Sequence, residues 1–265
     1  MSFEERFGGI ARLYGADALA TFAAAHVCVI GIGGVGSWAA EALARSGIGA
    51  ITLIDMDDIC ITNTNRQIHA LNNQIGQEKT VAMAERIALI NPDCRVTVVD
   101  DFISPDNLGE HLLADVDYVL DAIDSVKAKV ALIAYCKRNK IPVITAGGAG
   151  GQTDPAQIQI ADLSKTIQDP LAAKVRGDLR RFHHFSKNPK RKFGVDCVFS
   201  TEQPRYPDGA GGICSTKKES DGTMRMDCAS GFGAVTHITA TFGFFMVSRV
   251  LSKLATKGRE SIPHS

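Results

Sequence analysis

Four glycines in six positions, Gly31, Gly33, Gly34 and Gly36, stand between an apolar run, HVCVI, and the helical pattern SWAAEALARSGIG. A turn so poor in side chains lets backbone N–H groups close on a phosphate at the start of the following helix, where partial positive charge favours an anion. A second apolar run, ITLIDMD, ends on Asp55, 19 residues beyond Gly36. A carboxylate there is placed to accept hydrogen bonds from ribose hydroxyls. Together these features specify a nucleotide site on a strand–turn–helix unit, and they fit NAD as well as ATP.

Strands and helices alternate around this unit. Ala-rich Gly15 to Ala25 reads as a short helix, and Glu78 to Ile90 has helical spacing that Asn91 and Pro92 stop. RVTVV, a helix after Ser104 and Pro105, YVLDAID, a helix from Val126 to Arg138 and PVITAG continue the alternation. The expected fold is α/β: a Rossmann-type, doubly wound, mainly parallel sheet of order 3-2-1-4-5. After Gly147 a glycine-rich turn, GGAGGQTDP, leads into one alternating strand, QIQIADL. Residues 164–229 then read as an irregular basic excursion, partly mobile, with only VDCVFS strand-like. Helical pattern returns in 230–265, with a frayed tail after Gly258. The expected division is 1–163 for the nucleotide-binding domain, 164–229 for substrate contact and 230–265 for a C-terminal helix on the core.

Charge divides along the same lines. Lys and Arg number 29, as do Asp and Glu, so the formal net charge is zero. Eight cations, Lys174, Arg176, Arg180, Arg181, Lys187, Lys190, Arg191 and Lys192, lie in one stretch with a single acid, Asp178. The rest of the chain carries 21 basic and 28 acidic residues, a body of −7. A cationic stretch with Phe182, His183, His184 and Phe185 interleaved suits a polyanion with exposed bases, against the plainer reading of a solvated loop. The seven cysteines hold no C-x-x-C spacing, which argues against a zinc ribbon and a disulfide framework. The N-terminus lacks a signal-peptide order, and the expected location is the cytoplasm. Ser230 to Val247 is apolar enough to raise a membrane helix, but its Thr, Gly and His237 favour a buried helix.

The segment from Cys60 to Lys79 favours a triphosphate. A triphosphate carries roughly four charges against the two of a dinucleotide, and calls for fixed cations and amide donors. Arg66 and Lys79 supply cations, and Asn63, Asn65 and Gln67 supply donors. Lys79 opens a helix, where a cation opposes the macrodipole unless it has a positional task. Asp124 ends the YVLDAID strand across the topological switch point, suited to Mg²⁺ held against phosphates, with Asp121 a second candidate. The alternative for Asp124 is an N-cap on the helix that follows.

In this order GIGGVG, DMD, NTNRQ, GQEK, INP and DAID resemble the ThiF/MoeB-type adenylating family, which includes ubiquitin-activating enzymes. The resemblance implies binding of ATP and Mg²⁺ and attack of a carboxylate on the α-phosphate, with pyrophosphate leaving. It places the phosphate turn on Gly31, Gly33, Gly34 and Gly36 and ribose contact on Asp55. Asp57, Asn63, Arg66, Gln67 and Lys79 fall around the phosphates, and Asp124 falls on the metal. It also implies a homodimer in which an N-terminal arginine reaches the partner's phosphates. That position falls on Gly9 here, leaving Arg6 or Arg12, with Arg12 nearer the LYG turn. The paired cysteine zinc ligands of carrier-protein activators are missing.

RFGGIARLYG, NTNRQIHAL, IQDPLAAKVR and the Cys228 to Gly233 run are similar to the tRNA-acting branch of that family. This branch activates the threonyl carboxylate of threonylcarbamoyladenosine beside the anticodon and closes it into a ring. The implied partner is tRNA carrying that nucleoside, bound by the Lys174 to Lys192 cations. The alternative is activation of a ubiquitin-like carrier protein, or a sulfur relay with a sulfur-transfer protein, in which Cys197, Cys214 or Cys228 takes over the carboxylate. The histidines carry no assigned role.

Overall fold

A computed structural model of the chain describes residues 2–112, 115–208, 212–214 and 233–260. It opens with a helix that the sequence reading left out. In α1 (Phe3–Tyr14) the Ser2 hydroxyl accepts from the Glu5 N–H at 3.2 Å, and the Glu5 carboxylate accepts from the Ser2 N–H at 2.7 Å. That reciprocal cap starts the helix despite Gly8 and Gly9. Across Gly15 follows α2 (Ala16–Ala24), the expected Ala-rich helix.

The alternation then runs as expected. The elements are β1 (His26–Ile30), α3 (Gly36–Arg45), β2 (Ala50–Ile54), α4 (Lys79–Ile90), β3 (Arg95–Val99), a single-turn α5 (Leu108–His111), β4 (Tyr118–Asp121), α6 (Val126–Arg138) and β5 (Val143–Ala146). Strands β2, β4 and β5 are buried throughout and β1 nearly so, which is why they read as unbroken apolar runs.

Beyond Gly147 the chain does not leave the sheet. After β6 (Ile158–Asp162), α7 (Pro170–Phe182) and β7 (Asp196–Ser200), the strand order is β3-β2-β1-β4-β5-β7-β6. Every pairing is parallel except that of β6 with β7 at the edge. The expected irregular stretch is thus corrected at α7, and VDCVFS, a strand as expected, belongs to the main sheet as β7. Asp169 caps α7, its carboxylate accepting from Ala172 N–H at 2.8 Å, with Pro170 at the first helical position. Leu171, Ala172, Val175 and Leu179 form the buried stripe, and the interspersed cations hid that spacing. A separate pair, β8 (Tyr206–Pro207) and β9 (Ile213–Cys214), precedes α8 (Thr236–Glu260). Of the expected C-terminal helix, 230–232 lie outside the described residues, and the helix continues past Gly258 to Glu260.

Two apolar clusters cover the two faces of the sheet. One joins Phe22, Val29, Leu43, Leu53 and Met83 to Ile238, Phe242, Met246 and Val250 of α8. The other joins Ile30, Val119, Leu132, Ile133, Val175 and Leu179 beneath α6 and α7. The stretch Thr236–Thr256 has the length and apolar composition of a membrane span, but 61% of its 18-residue apolar window is buried in the molecule. It is a packed helix, because Ile238, Phe242, Met246 and Val250 recur every fourth residue and face α2, α3 and the sheet. Phe242→Ala should therefore lower unfolding stability by about 3–5 kcal/mol in chemical denaturation, the cost of a buried aromatic lost from a core.

Candidate active site

At the carboxyl ends of β1, β2, β4 and β5 lies a cleft of about 800 Å³. The glycine turn forms its floor. Gly31 has φ +86°, and a Cβ there would come within 2.9 Å of the Ala122 carbonyl oxygen. A Cβ on Gly36 would meet the Gly31 carbonyl oxygen at 1.8 Å, so only glycine lets α3 start this close to the strand end. The start of α3 has no side-chain cap, which suits its N–H groups to an anionic ligand.

Asp55 latches this turn. Its Oδ2 accepts from Ile32 N–H at 2.6 Å and its Oδ1 from Asp57 N–H at 2.9 Å. Burial pushes its carboxyl up, while the charge of Lys79 and the two N–H groups pull it down. Beneath the turn, His69 is fully buried with Nε2 2.9 Å from the Ile32 carbonyl oxygen. Its Nδ1 has no partner among the described residues, so the ring is neutral and Nε2–H donates, and burial pushes its pKa down to about 4.

The cations stand on one side of the cleft. Lys79 is buried with its ammonium 2.6 Å from Asp57 Oδ2, the positional task that a lysine in a first helical turn calls for. Arg66 donates to the Thr62 carbonyl at 2.9 Å and to Asn65 Oδ1 at 3.0 Å. Its loop is tied from two directions. Trp38 Nε1 donates to the Arg66 carbonyl at 3.0 Å, Asn65 Nδ2 to the Ala234 carbonyl at 2.8 Å, and the Thr236 hydroxyl to the Asn65 carbonyl at 2.6 Å. Asn63 is buried with Oδ1 accepting from Cys60 N–H, and Gln67 is buried with Oε1 unpartnered among the described residues. All of these side chains line the cleft except Trp38 and Thr236.

Asp124 lines the opposite lip, exposed and without a side-chain hydrogen bond or ion pair among the described residues. It is not the helix cap, because Ser125 holds that position in α6. Asp121 is excluded as a metal ligand. It is wholly buried, ion-paired to Lys129 at 2.8 Å and accepting from the Thr145 hydroxyl at 2.7 Å, away from the cleft. Asp124 is an unengaged carboxylate oxygen donor, among the described residues, in the same cleft as the glycine turn, and such a donor fits Mg²⁺, which takes one or two carboxylates and fills its shell with phosphates and water.

In the search against protein families, residues 9–264 match the ThiF family model. The chain belongs to the ThiF family. It is 64% identical over 256 residues to the tRNA threonylcarbamoyladenosine dehydratase of Escherichia coli K12, spanning 97% of this chain and 96% of that one. The protein of the same description in Haemophilus influenzae is also 64% identical, over 97% of this chain and 95% of that one. The crystal structure of the E. coli dehydratase in complex with ATP superimposes with a TM-score of 0.87 and 59% identity, covering 98% of this chain and 97% of that one.

In this ThiF-family chain the sequence reading assembled Gly31, Gly33, Gly34, Asp55, Asp57, Asn63, Arg66, Gln67, Lys79 and Asp124 around one cleft, with Gly36 behind its floor. Arg12 is elsewhere: it is exposed on α1 beside Gly8 and Gly9, while Arg6 donates to the Ile90 carbonyl at 3.1 Å. Neither lines the cleft of its own chain. Cys197 is fully buried and its thiol is pushed far up by burial, so it does not serve as an accessible nucleophile. Cys228 and the side chain of Cys214 lie outside the described residues.

Sequence reading missed the far wall, Ala146 to Gly150, and the exposed ring of Phe102 at the rim. The available signal was the glycine run itself. Gly147 and Gly148 are pinned by Asp169, whose Oδ2 accepts from Gly148 N–H at 3.0 Å and would sit 1.8 Å from a Cβ on Gly147.

The buried His69 gives a pH signature. Its folded pKa of about 4 lies below the ordinary 6.5, so between these values the unfolded chain binds the extra proton and stability falls as pH drops. The loss attributable to this ring is roughly 3 kcal/mol between pH 7 and pH 4. Thermal melts over that range should show a smaller acid-side decline for His69→Gln than for the unsubstituted protein.

Proposed function

We propose that this chain is a tRNA threonylcarbamoyladenosine dehydratase, closing the threonylcarbamoyl group of a modified adenosine next to the anticodon into a ring at the expense of ATP. The observation that carries this reading is the convergence of the glycine turn, two cations and an unengaged carboxylate on one cleft, in a chain so similar to curated dehydratases over almost its whole length. A dinucleotide would leave Arg66 and Asp124 in the cleft without a phosphate or metal to meet.

ATP lies with its phosphates on the turn from Gly31 to Gly36 and its ribose against Asp55. Arg66 and Lys79 take up charge as pyrophosphate leaves, and Asn63 and Gln67 orient the phosphate oxygens. Mg²⁺, when bound, neutralises the phosphates, and Asp124 is the residue that would hold it. The substrate carboxylate attacks the α-phosphorus in line, forming the acyl-adenylate and breaking the bond to pyrophosphate. A neighbouring nucleophilic atom of the same substrate then attacks the acyl carbon, loses its proton and expels AMP. The sum is loss of one water from the nucleoside with ATP converted to AMP and pyrophosphate. Because both partners of the second step sit on one molecule, effective molarities of about 10⁵ M or more make a protein thiol unnecessary.

The adenylating residues fall within 1–163, and the exposed cations among those from Lys174 to Lys192 supply the surface for the tRNA backbone, Arg176 and Arg180 being held by Thr166 and by Ser186 and Phe193. Arg12, exposed and outside its own cleft, fits a homodimer in which it completes the partner's site. A tRNA substrate supports work in the cytoplasm for this chain.

The test is incubation with ATP and tRNA carrying threonylcarbamoyladenosine, followed by mass analysis of the digested nucleosides. The expected product is lighter by one water and accompanied by AMP. Asp124→Ala and Lys79→Ala should each lower kcat by about 10²–10³, the usual cost of removing one transition-state charge partner. Turnover to ADP and phosphate would contradict the scheme.

A further inference from the structure

Helix α7 holds a residue that its own packing does not ask for. Gly177 lies in mid-helix, exposed, and a Cβ built on it would meet nothing within 4 Å among the described residues. Its φ is not positive, so no turn requires it. After proline, glycine is the poorest helix former, and an exposed interior position without a packing reason is where alanine would serve better. The contrast within the same molecule is Gly243 in α8, where a Cβ would lie 2.8 Å from the Val35 carbonyl oxygen.

The surroundings of Gly177 are cationic and open. Lys174 stands one turn before it and Arg181 one turn after, both exposed and free of hydrogen bonds and ion pairs among the described residues. The Arg181 guanidinium lies 5.0 Å from the centroid of the Phe182 ring, which is 58% exposed. The helix's other two arginines are engaged internally. Arg176 bonds the Thr166 hydroxyl, and Arg180 donates to the Ser186 carbonyl and covers the buried Phe193 ring. Asp178, half-buried, is one residue round the helix. Pro170 and Leu171 line the cleft, so Gly177 stands about 10 Å along the helix axis from it.

We propose that the outward face of α7 is the track along which the sugar–phosphate backbone of the RNA substrate leaves the cleft, with Gly177 the point of closest approach. Lys174 and Arg181 hold phosphates on either side, and Phe182, stiffened by Arg181, offers a stacking face to an unpaired base. A missing side chain flanked by unpaired cations matches a backbone that must lie flat on the helix. This deepens the reading of the chain as a tRNA-modifying enzyme and rests on it.

The variants Gly177→Ala, Gly177→Leu and Arg181→Ala separate the possibilities, with tRNA carrying threonylcarbamoyladenosine as the probe. Gly177→Ala should raise the thermal midpoint and yet raise KM for tRNA, a pairing that a purely structural glycine does not produce. Gly177→Leu should raise that KM about tenfold, equivalent to about 1.4 kcal/mol, with the change on KM rather than kcat and with the ATP Kd unmoved. Arg181→Ala should reduce the slope of log affinity against log salt by about one. A Gly177→Leu protein that keeps the original KM, while the unsubstituted enzyme makes the dehydrated nucleoside, overturns the track alone. So does a variant impaired only in binding an acidic protein. An unsubstituted enzyme that yields no dehydrated nucleoside overturns the functional reading beneath it.

Discussion

At Gly36 the first turn of α3 comes so close to the end of β1 that any side chain would overlap the Gly31 carbonyl. The cleft is built outward from that contact. Gly31 in turn presses on Ala122 after β4, and Asp55 after β2 holds the Ile32 N–H, so three strand ends are locked around one turn. Their side chains could not otherwise be held in register, because each arrives on a separate loop. An open parallel sheet gathers ligands at this point, where the strand order reverses.

The second organising fact is that the cations of the cleft are held in place by neighbouring side chains and carbonyls. Asp57 holds the Lys79 ammonium, keeping a buried cation in place when no anion is bound. At the start of α8 the Thr236 and Thr239 hydroxyls donate to the carbonyls of Asn65 and Arg66, and just before it the Ala234 carbonyl accepts from the Asn65 side chain. A helix apolar enough in sequence to raise a membrane span thus acts as the buttress of the Asn65–Arg66 loop. The far wall depends likewise on Asp169, which caps α7 and pins the Gly147–Gly148 turn with the same carboxylate. Helix α7 and the cleft are therefore coupled through one buried side chain.

Much of this was legible in the residues. The glycine spacing, Asp55 at a strand end, and Arg66 and Lys79 in an otherwise polar segment mark local chemistry that needs no tertiary knowledge. The strand order around β1 followed from the alternation of strands and helices together with the glycine turn that marks a doubly wound sheet. What stayed hidden was of two kinds. In α1 and α7 the caps at Ser2 and Asp169 were present in the sequence, but Gly8, Gly9 and Gly177 and the run of cations masked the helical spacing. The place of β7 between β5 and β6, the burial of Asp121 against Lys129, and the far wall from Ala146 to Gly150 are long-range pairings that no local pattern encodes. Asp121 and Asp124 show the limit most plainly: three residues apart in one motif, one is in the core and the other in the cleft.

Transfer of oxygen tests the central chemistry most directly. With the threonyl carboxylate of the substrate tRNA labelled with heavy oxygen, attack on the α-phosphorus followed by ring closure leaves one labelled atom in AMP. Label recovered in AMP, with none in pyrophosphate, is the expected result. Label recovered in inorganic phosphate beside ADP would mean that the carboxylate is phosphorylated at the γ-position, and the adenylation mechanism would be wrong.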